Sequence, residues 1–233
     1  MILTVLGQNI SEVDRRIRAA ERTARRPEGS VSLLAVSKTK PPELVRQAHR
    51  LGLSQFGENY AQELAEKARA LADLDLSWHF IGPIQSNKTA LIAECSEWVH
   101  SIDRLKVARR LSEQRPPDKG PLNVLIQVKT SREERKSGVA PEALPDLVAA
   151  IDELPTLALR GLMTIPAPAA DEATQRRPFQ QLRELLTSLP LNHLDTLSMG
   201  MSQDLETAIS QGAAIVRIGT DIFGARYNSL PLE

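Results

Sequence analysis

At 233 residues, 42% hydrophobic and 25% charged, the chain has ordinary globular composition and enough apolar material for one large core. Its 29 Lys plus Arg balance 29 Asp plus Glu, so it lacks the electrostatic footprint of a duplex nucleic-acid or anionic-membrane binder. The single cysteine, Cys95, rules out an intramolecular disulfide framework, no CxxC or HExxH pattern argues for a metal, and no stretch approaches the roughly 20 apolar residues of a membrane span.

The chain opens on an amphipathic helix, in which Leu3, Leu6, Ile10, Val13, Ile17 and Ala20 recur at helical spacing while Arg15, Arg16 and Arg18 take other faces. No basic region precedes a long apolar run, so the segment does not read as a secretory signal and a cytoplasmic location is expected. VSLLAVS (31–37) then breaks the helical period, as a strand covered on both sides does. PPELVRQAHRLG follows, with prolines at a helix start and Gly52 just past its end. The alternation continues with strands at 54–58, 76–82, 97–101, 122–128, 157–163, 194–198 and 214–219. Helices are predicted at 59–72, 86–94, 103–115, 141–153, 171–189 and 203–211. Eight βα units after one extra helix, with no linker to split them, predict a single α/β domain over 1–233 that closes into a (β/α)8 TIM barrel. The rival, a doubly wound open sheet, calls for a glycine-rich turn after the first strand, and VSKTKPP is not one. The longest polar loop, KTSREERKSG (129–138), is expected to be mobile.

A barrel of this kind carries its site at the C-terminal ends of its strands. Those positions are Lys38, Asn59, the 82–87 loop, Ser101, Lys129, Met163, the 199–202 loop and 217–220. A partly desolvated Lys38 is a competent nucleophile toward an aldehyde, although a solvated strand-end lysine would look the same. SMGMS (198–202) and RIGTDIFG (217–224) each join small residues to a helix start, where N–H groups and hydroxyls suit a phosphate. Ser202 and Thr220 are equally readable as plain N-caps. A reactive lysine beside a phosphate cradle points to pyridoxal 5′-phosphate.

Arg217, if it faces the mouth, can donate to the cofactor's pyridine nitrogen. A guanidinium keeps its proton, so that nitrogen would stay unprotonated and the ring a weak electron sink; pairing with a surface carboxylate is the alternative. Asn59 with Gln62 has the spacing of a capping box, a role that competes with ligand binding, and Ser86 shares the ambiguity. His79, inside a strand, reads as a satisfied core histidine, and Cys95 as buried packing.

LLAVSKTKP, FGENYAQE, WHFIGPIQSNK, KSGV, GLMTIPAP, LSMGMSQDLETAI and VRIGTDIFGAR together resemble the pyridoxal phosphate homeostasis protein family, from about residue 33 to Arg226. The resemblance implies a barrel similar to that of bacterial alanine racemase (fold type III), with pyridoxal phosphate held as a Schiff base on Lys38. It implies that Ser202, Gly219 and Thr220 hold the phosphate, that Arg217 faces the pyridine nitrogen and that Asn59 lies beside the ring. Met199, Met201 and Ile81 are near contacts on the same grounds. It further implies a non-catalytic role, storing, buffering or delivering the cofactor, with apo-enzymes that use it as the partners; a monomer is expected.

The alternative of a different class is an amino-acid racemase. Racemisation needs proton-transfer groups on both faces of a carbanion, and in alanine racemases the second is a tyrosine at a dimer interface involving a β-rich domain. Ending at Glu233, the sequence is expected to leave no room for that domain, and Tyr60 and Tyr227 have no supporting motif. A third reading, a sugar-phosphate enzyme, would need Glu58 or Asp221 as an acid/base group, and neither has a partner identifiable in the sequence.

Overall fold

The computed structural model describes residues 4–131, 137–169 and 171–224. Leu3, Lys136, Arg226 and Tyr227 lie outside the described residues, as do residues 132–136 of the loop expected to be mobile. The first helix, α1 (Val5–Thr23), is capped by Thr4, whose hydroxyl accepts from Gly7 N–H. Its buried stripe is Leu6, Ile10, Val13, Ile17 and Ala20, the residues set apart by period. Buried Glu21 fixes the exit from α1, because its carboxylate accepts the backbone N–H groups of Gly29 and Val31 at 3.1 and 2.8 Å and so aims the chain into β1 (Ser32–Val36).

Alternation then runs as α2 (Pro42–Arg50), β2 (Gln55–Glu58), α3 (Ala61–Ala70), β3 (Ser77–Phe80), α4 (Thr89–Cys95), β4 (Trp98–Ile102), α5 (Leu105–Gln114) and β5 (Leu122–Gln127). It continues through α6 (Leu144–Asp152), β6 (Leu157–Met163), α7 (Glu172–Ser188), β7 (Thr196–Ser198), α8 (Leu205–Ser210), β8 (Ile215–Ile218) and α9 (Thr220–Phe223). The strands pair in parallel in sequence order, and β8 closes on β1 with Leu34 opposite Arg217 and Ala35 opposite Ile218. The architecture is the predicted closed (β/α)8 barrel preceded by one helix, and an open sheet is excluded. Every strand of the sequence reading is present; β7 is the shortest, three residues against an expected 194–198.

Most of the core lies between the barrel wall and the surrounding helices. Leu34, Ile81 and Ile215, with Val36 against them, form a second, smaller cluster. Gly57 belongs to the same face, since a Cβ there would meet Ile81 and Leu34 at 3.2 and 3.3 Å. The extra helix α1 packs on α8 and α9, the last two helices. Among the described residues no helix is long and apolar enough to cross a membrane.

Candidate functional site

At the C-terminal ends of the strands the barrel opens into a cavity of about 410 Å³. Lys38, Asn59, Ile81, Met201, Ser202, Arg217, Gly219 and Thr220 all line it. Five different βα junctions therefore deliver the residues singled out in the sequence to one place, with Ile165, Pro166 and Pro168 of the β6–α7 connection as a further wall.

The turn that presents Lys38 is held from behind. Thr39 adopts φ 64°, a left-handed conformation that a β-branched residue resists. Ion pairing beneath the turn offsets that strain. Lys67, on α3 and nearly fully buried, donates at 2.7 Å to Ser37 O, Glu58 Oε1 and Glu63 Oε1. Ser37 Oγ donates to Glu58 Oε1 at 2.6 Å, and Glu63 accepts Thr39 N–H. Burial raises the Glu58 carboxyl to about 7 against the opposing pull of Lys67 and Ser37. Lys40, two residues beyond Lys38, donates to the carbonyls of Phe223 and Gly224 at 3.1 and 3.4 Å, tying this turn to the end of α9. Glu58 thus has partners that its sequence neighbours do not reveal, and so does Asp221, which accepts from Arg16 at 2.7 Å.

Asn59 is not a cap. The N-cap of α3 is Tyr60, with no side-chain hydrogen bond, and Asn59 Oδ1 is buried without a partner beside the cavity. The turn can lie this close to β3 because residue 82 is glycine: a Cβ there would come within 2.1 Å of Asn59 O. The cap alternative for Ser202 and Thr220 also falls away. Asp204 is the N-cap of α8 and Gly219 that of α9, and Ser202 and Thr220 both line the cavity. Asp204 accepts Met201 N–H at 2.5 Å, and burial raises its carboxyl above the usual range.

Met199 is a correction. Its side chain is fully buried in the core under α8 and does not reach the cavity, because the chain reverses at Gly200 (φ 94°) and only Met201 emerges. Ser101, Lys129 and Met163, also at strand ends, do not line the cavity. Ser101 Oγ donates instead to Gly82 O at 2.5 Å. Ser86 opens a 3-10 turn, Ser86–Lys88, without acting as a cap. Cys95 is half-buried against the core.

Arg217 does face the interior. It is 4% exposed and, among the described residues, pairs with no surface carboxylate; NH1 donates to Ser198 Oγ at 2.8 Å and NH2 to Thr164 O at 2.9 Å. Burial lowers its guanidinium to about 10, with Asp204 pulling the other way, so it remains charged at neutral pH. One residue that sequence reasoning missed is Arg16 of α1. It donates to Glu206 and Asp221, both at 2.7 Å, and to Ser202 O at 2.8 Å, clamping the β7–α8 and β8–α9 loops together. Its place on the polar face of the first helix was the only signal.

A closed parallel barrel with a small, cation-bearing cavity at the C-terminal mouth defines a (β/α)8 protein built to hold a compact ligand among its βα loops. The sequence matches the alanine racemase N-terminal domain family over residues 9–227. It is 59% identical over 229 residues to the pyridoxal phosphate homeostasis protein of Pseudomonas aeruginosa, an alignment covering 98% of this chain and 99% of that one. A crystal structure of an unknown protein from Bifidobacterium adolescentis superposes with TM-score 0.87 at 34% identity, over 94% of each chain. PipY of Synechococcus elongatus, solved with PLP (pyridoxal phosphate) bound, superposes with TM-score 0.78 at 35% identity, over 89% of this chain and 100% of that one. The chain belongs to the pyridoxal phosphate homeostasis protein family, built on the alanine racemase N-terminal barrel.

Proposed function

We propose that this protein binds pyridoxal 5′-phosphate through Lys38 and serves its storage or delivery rather than a catalytic turnover. The observation that carries the reading is the convergence of Lys38, Arg217, Ser202, Gly219 and Thr220 on one cavity. Its volume of about 410 Å³ suits a substituted pyridine bearing a phosphate, and the unmatched Asn59 Oδ1 leaves a polar group for a ligand to satisfy. When bound, the cofactor supplies an aldehyde for a lysine amine, a phosphate and an electron-accepting ring.

In this reading Lys38 is the covalent anchor, and Ser202, Gly219 and Thr220 take the phosphate on hydroxyl and backbone donors. Arg217 faces the ring nitrogen as a donor that keeps its proton, which keeps the ring a poor electron sink. Asn59 lies beside the ring, with Ile81 and Met201 as apolar contacts. The racemase alternative needs a proton-transfer group opposite Lys38. Tyr60 is 58% exposed and outside the cavity wall, which favours the carrier. A cytoplasmic monomer passing cofactor to apo-enzymes is the corresponding cellular picture.

The test is a visible spectrum of the purified protein loaded with pyridoxal phosphate, then borohydride reduction and peptide mapping. The label is expected on the peptide containing Lys38, and Lys38→Ala should lose the visible band while keeping its melting temperature. Label on another lysine, or a colourless protein after loading, refutes the assignment. Racemisation of amino acids by the loaded protein would move the reading to the enzyme.

A further inference from the structure

Arg217 is one end of a hydrogen-bonded chain that crosses the barrel interior. Its NH1 donates to Ser198 Oγ on β7. Ser198 Oγ lies 2.9 Å from His100 Nδ1 on β4, and His100 Nε2 lies 2.9 Å from His79 Nδ1 on β3. His79 Nε2 then reaches Ser77 Oγ at 3.2 Å. Strands β4 and β7 are not neighbours in the sheet, so the Ser198–His100 contact spans the lumen. Ser198, His100 and His79 are each no more than 1% exposed. Below them His79 stacks on Trp98 (5.6 Å, 3° between planes), and the Arg160 guanidinium covers the Trp98 ring.

The proton order of this chain is fixed from one end. A guanidinium only donates, so Ser198 must turn a lone pair to Arg217 and its O–H to His100 Nδ1. His100 then carries its proton on Nε2 and gives it to His79 Nδ1. His79 is in turn protonated on Nε2 and donates to Ser77. The reverse order would leave the buried Ser198 proton without an acceptor. Two acceptors, Ser198 Oγ and Thr164 O, occupy one N–H on each terminal nitrogen of Arg217, which also lines the cavity.

We propose that Ser198, His100 and His79 are positioning residues for Arg217, a chain with each imidazole protonated on Nε2 that holds the guanidinium in the one orientation facing the cavity. The proposal rests on reading Arg217 as the cofactor-facing group. Burial supports it by keeping both rings neutral: His79 is lowered to about 3, and His100 well below the usual range, by desolvation first and then by His79 and Arg217.

Long-range proton–nitrogen NMR of the cofactor-free protein reads the tautomers directly. The Nε2–H form at both His79 and His100 is expected, and an Nδ1–H or doubly protonated His100 at neutral pH overturns the chain. In titrations with pyridoxal phosphate, Ser198→Ala should bind about tenfold more weakly with a shifted visible band, and Ser198→Thr should restore both. Unchanged affinity and spectrum in a folded Ser198→Ala overturns the positioning role. If the wild type takes up no pyridoxal phosphate, the function proposed above fails, while the tautomers of the cofactor-free protein still decide the chain.

Discussion

Replacing Gly82 with alanine tests how tightly the mouth is assembled. The added methyl would sit 2.1 Å from Asn59 O, with Asn59 C and Cα both at 2.7 Å. An ordinary carbon–oxygen contact needs about 3.3 Å, so the β2–α3 turn must retreat by roughly 1 Å. All three neighbours are backbone, and none can rotate away. Ile81 N–H already bonds Glu58 O at 2.9 Å, and Ser101 Oγ holds Gly82 O, so the retreat also strains the ladder between β2 and β3. Overpacking of this kind costs about 3 kcal/mol. For a chain of this length that is a fall in melting temperature of about 6–12 °C. Since Asn59 borders the cavity, affinity for pyridoxal phosphate should fall with it. Calorimetry and a cofactor titration on Gly82→Ala give both readings. As a control, Gly29→Ala meets nothing within 4 Å, though its φ of 83° adds about 1 kcal/mol of strain. A Gly82→Ala protein that melts with the wild type and binds normally would refute the claim that this close approach shapes the site.

Two further predictions concern the clamp and the buried titrating groups. Arg16→Ala should weaken pyridoxal phosphate binding several-fold in fluorescence titration, because the Ser202 and Asp221 loops lose their shared donor. Its stability should fall by only about 1 kcal/mol, the pairs being partly exposed. With pH, His79 and Glu58 act in opposite senses. The lowered His79 contributes stability present above its unfolded value near 6.5, lost as pH falls toward 3. The raised Glu58 contributes stability present below 4.5, lost as pH rises through about 7. Glu58→Gln removes the compensation, so from pH 7 to pH 5 the variant should lose about 2 kcal/mol more than the wild type in denaturant melts. Parallel curves would refute it.

The barrel was legible because each strand is a short apolar run bounded by a helix with its own period, and the hydrophobic stripe of α1 is the one the fold buries. Strand ends located the mouth residues for the same reason. Open alternatives and misses came where local pattern cannot decide. Asn59 and Ser202 have capping chemistry, but the N-caps fall one and two residues later, at Tyr60 and Asp204. Met199 and Met201 are chemically alike, and only the reversal at Gly200 separates core from cavity. Arg16, Lys40 and Lys67 act on partners fixed by packing, as far as 205 residues away for Arg16 and Asp221. His79 is the satisfied core histidine that its place inside a strand implies. That its partner is His100 depends on the register between β3 and β4, which no alternation of side chains discloses.

The pairing of β1 with β8, and the packing of α1 on α8 and α9, has a bearing on biosynthesis. Lys38 leaves the ribosome early, but Arg217, Gly219 and Thr220 arrive nearly two hundred residues later, and Arg16 has nothing to clamp until they do. A nascent chain therefore exposes its amine long before any anion site or donor exists around it. On the function proposed above, capture of an aldehyde cofactor at Lys38 would wait for the last strand to complete the cavity around it.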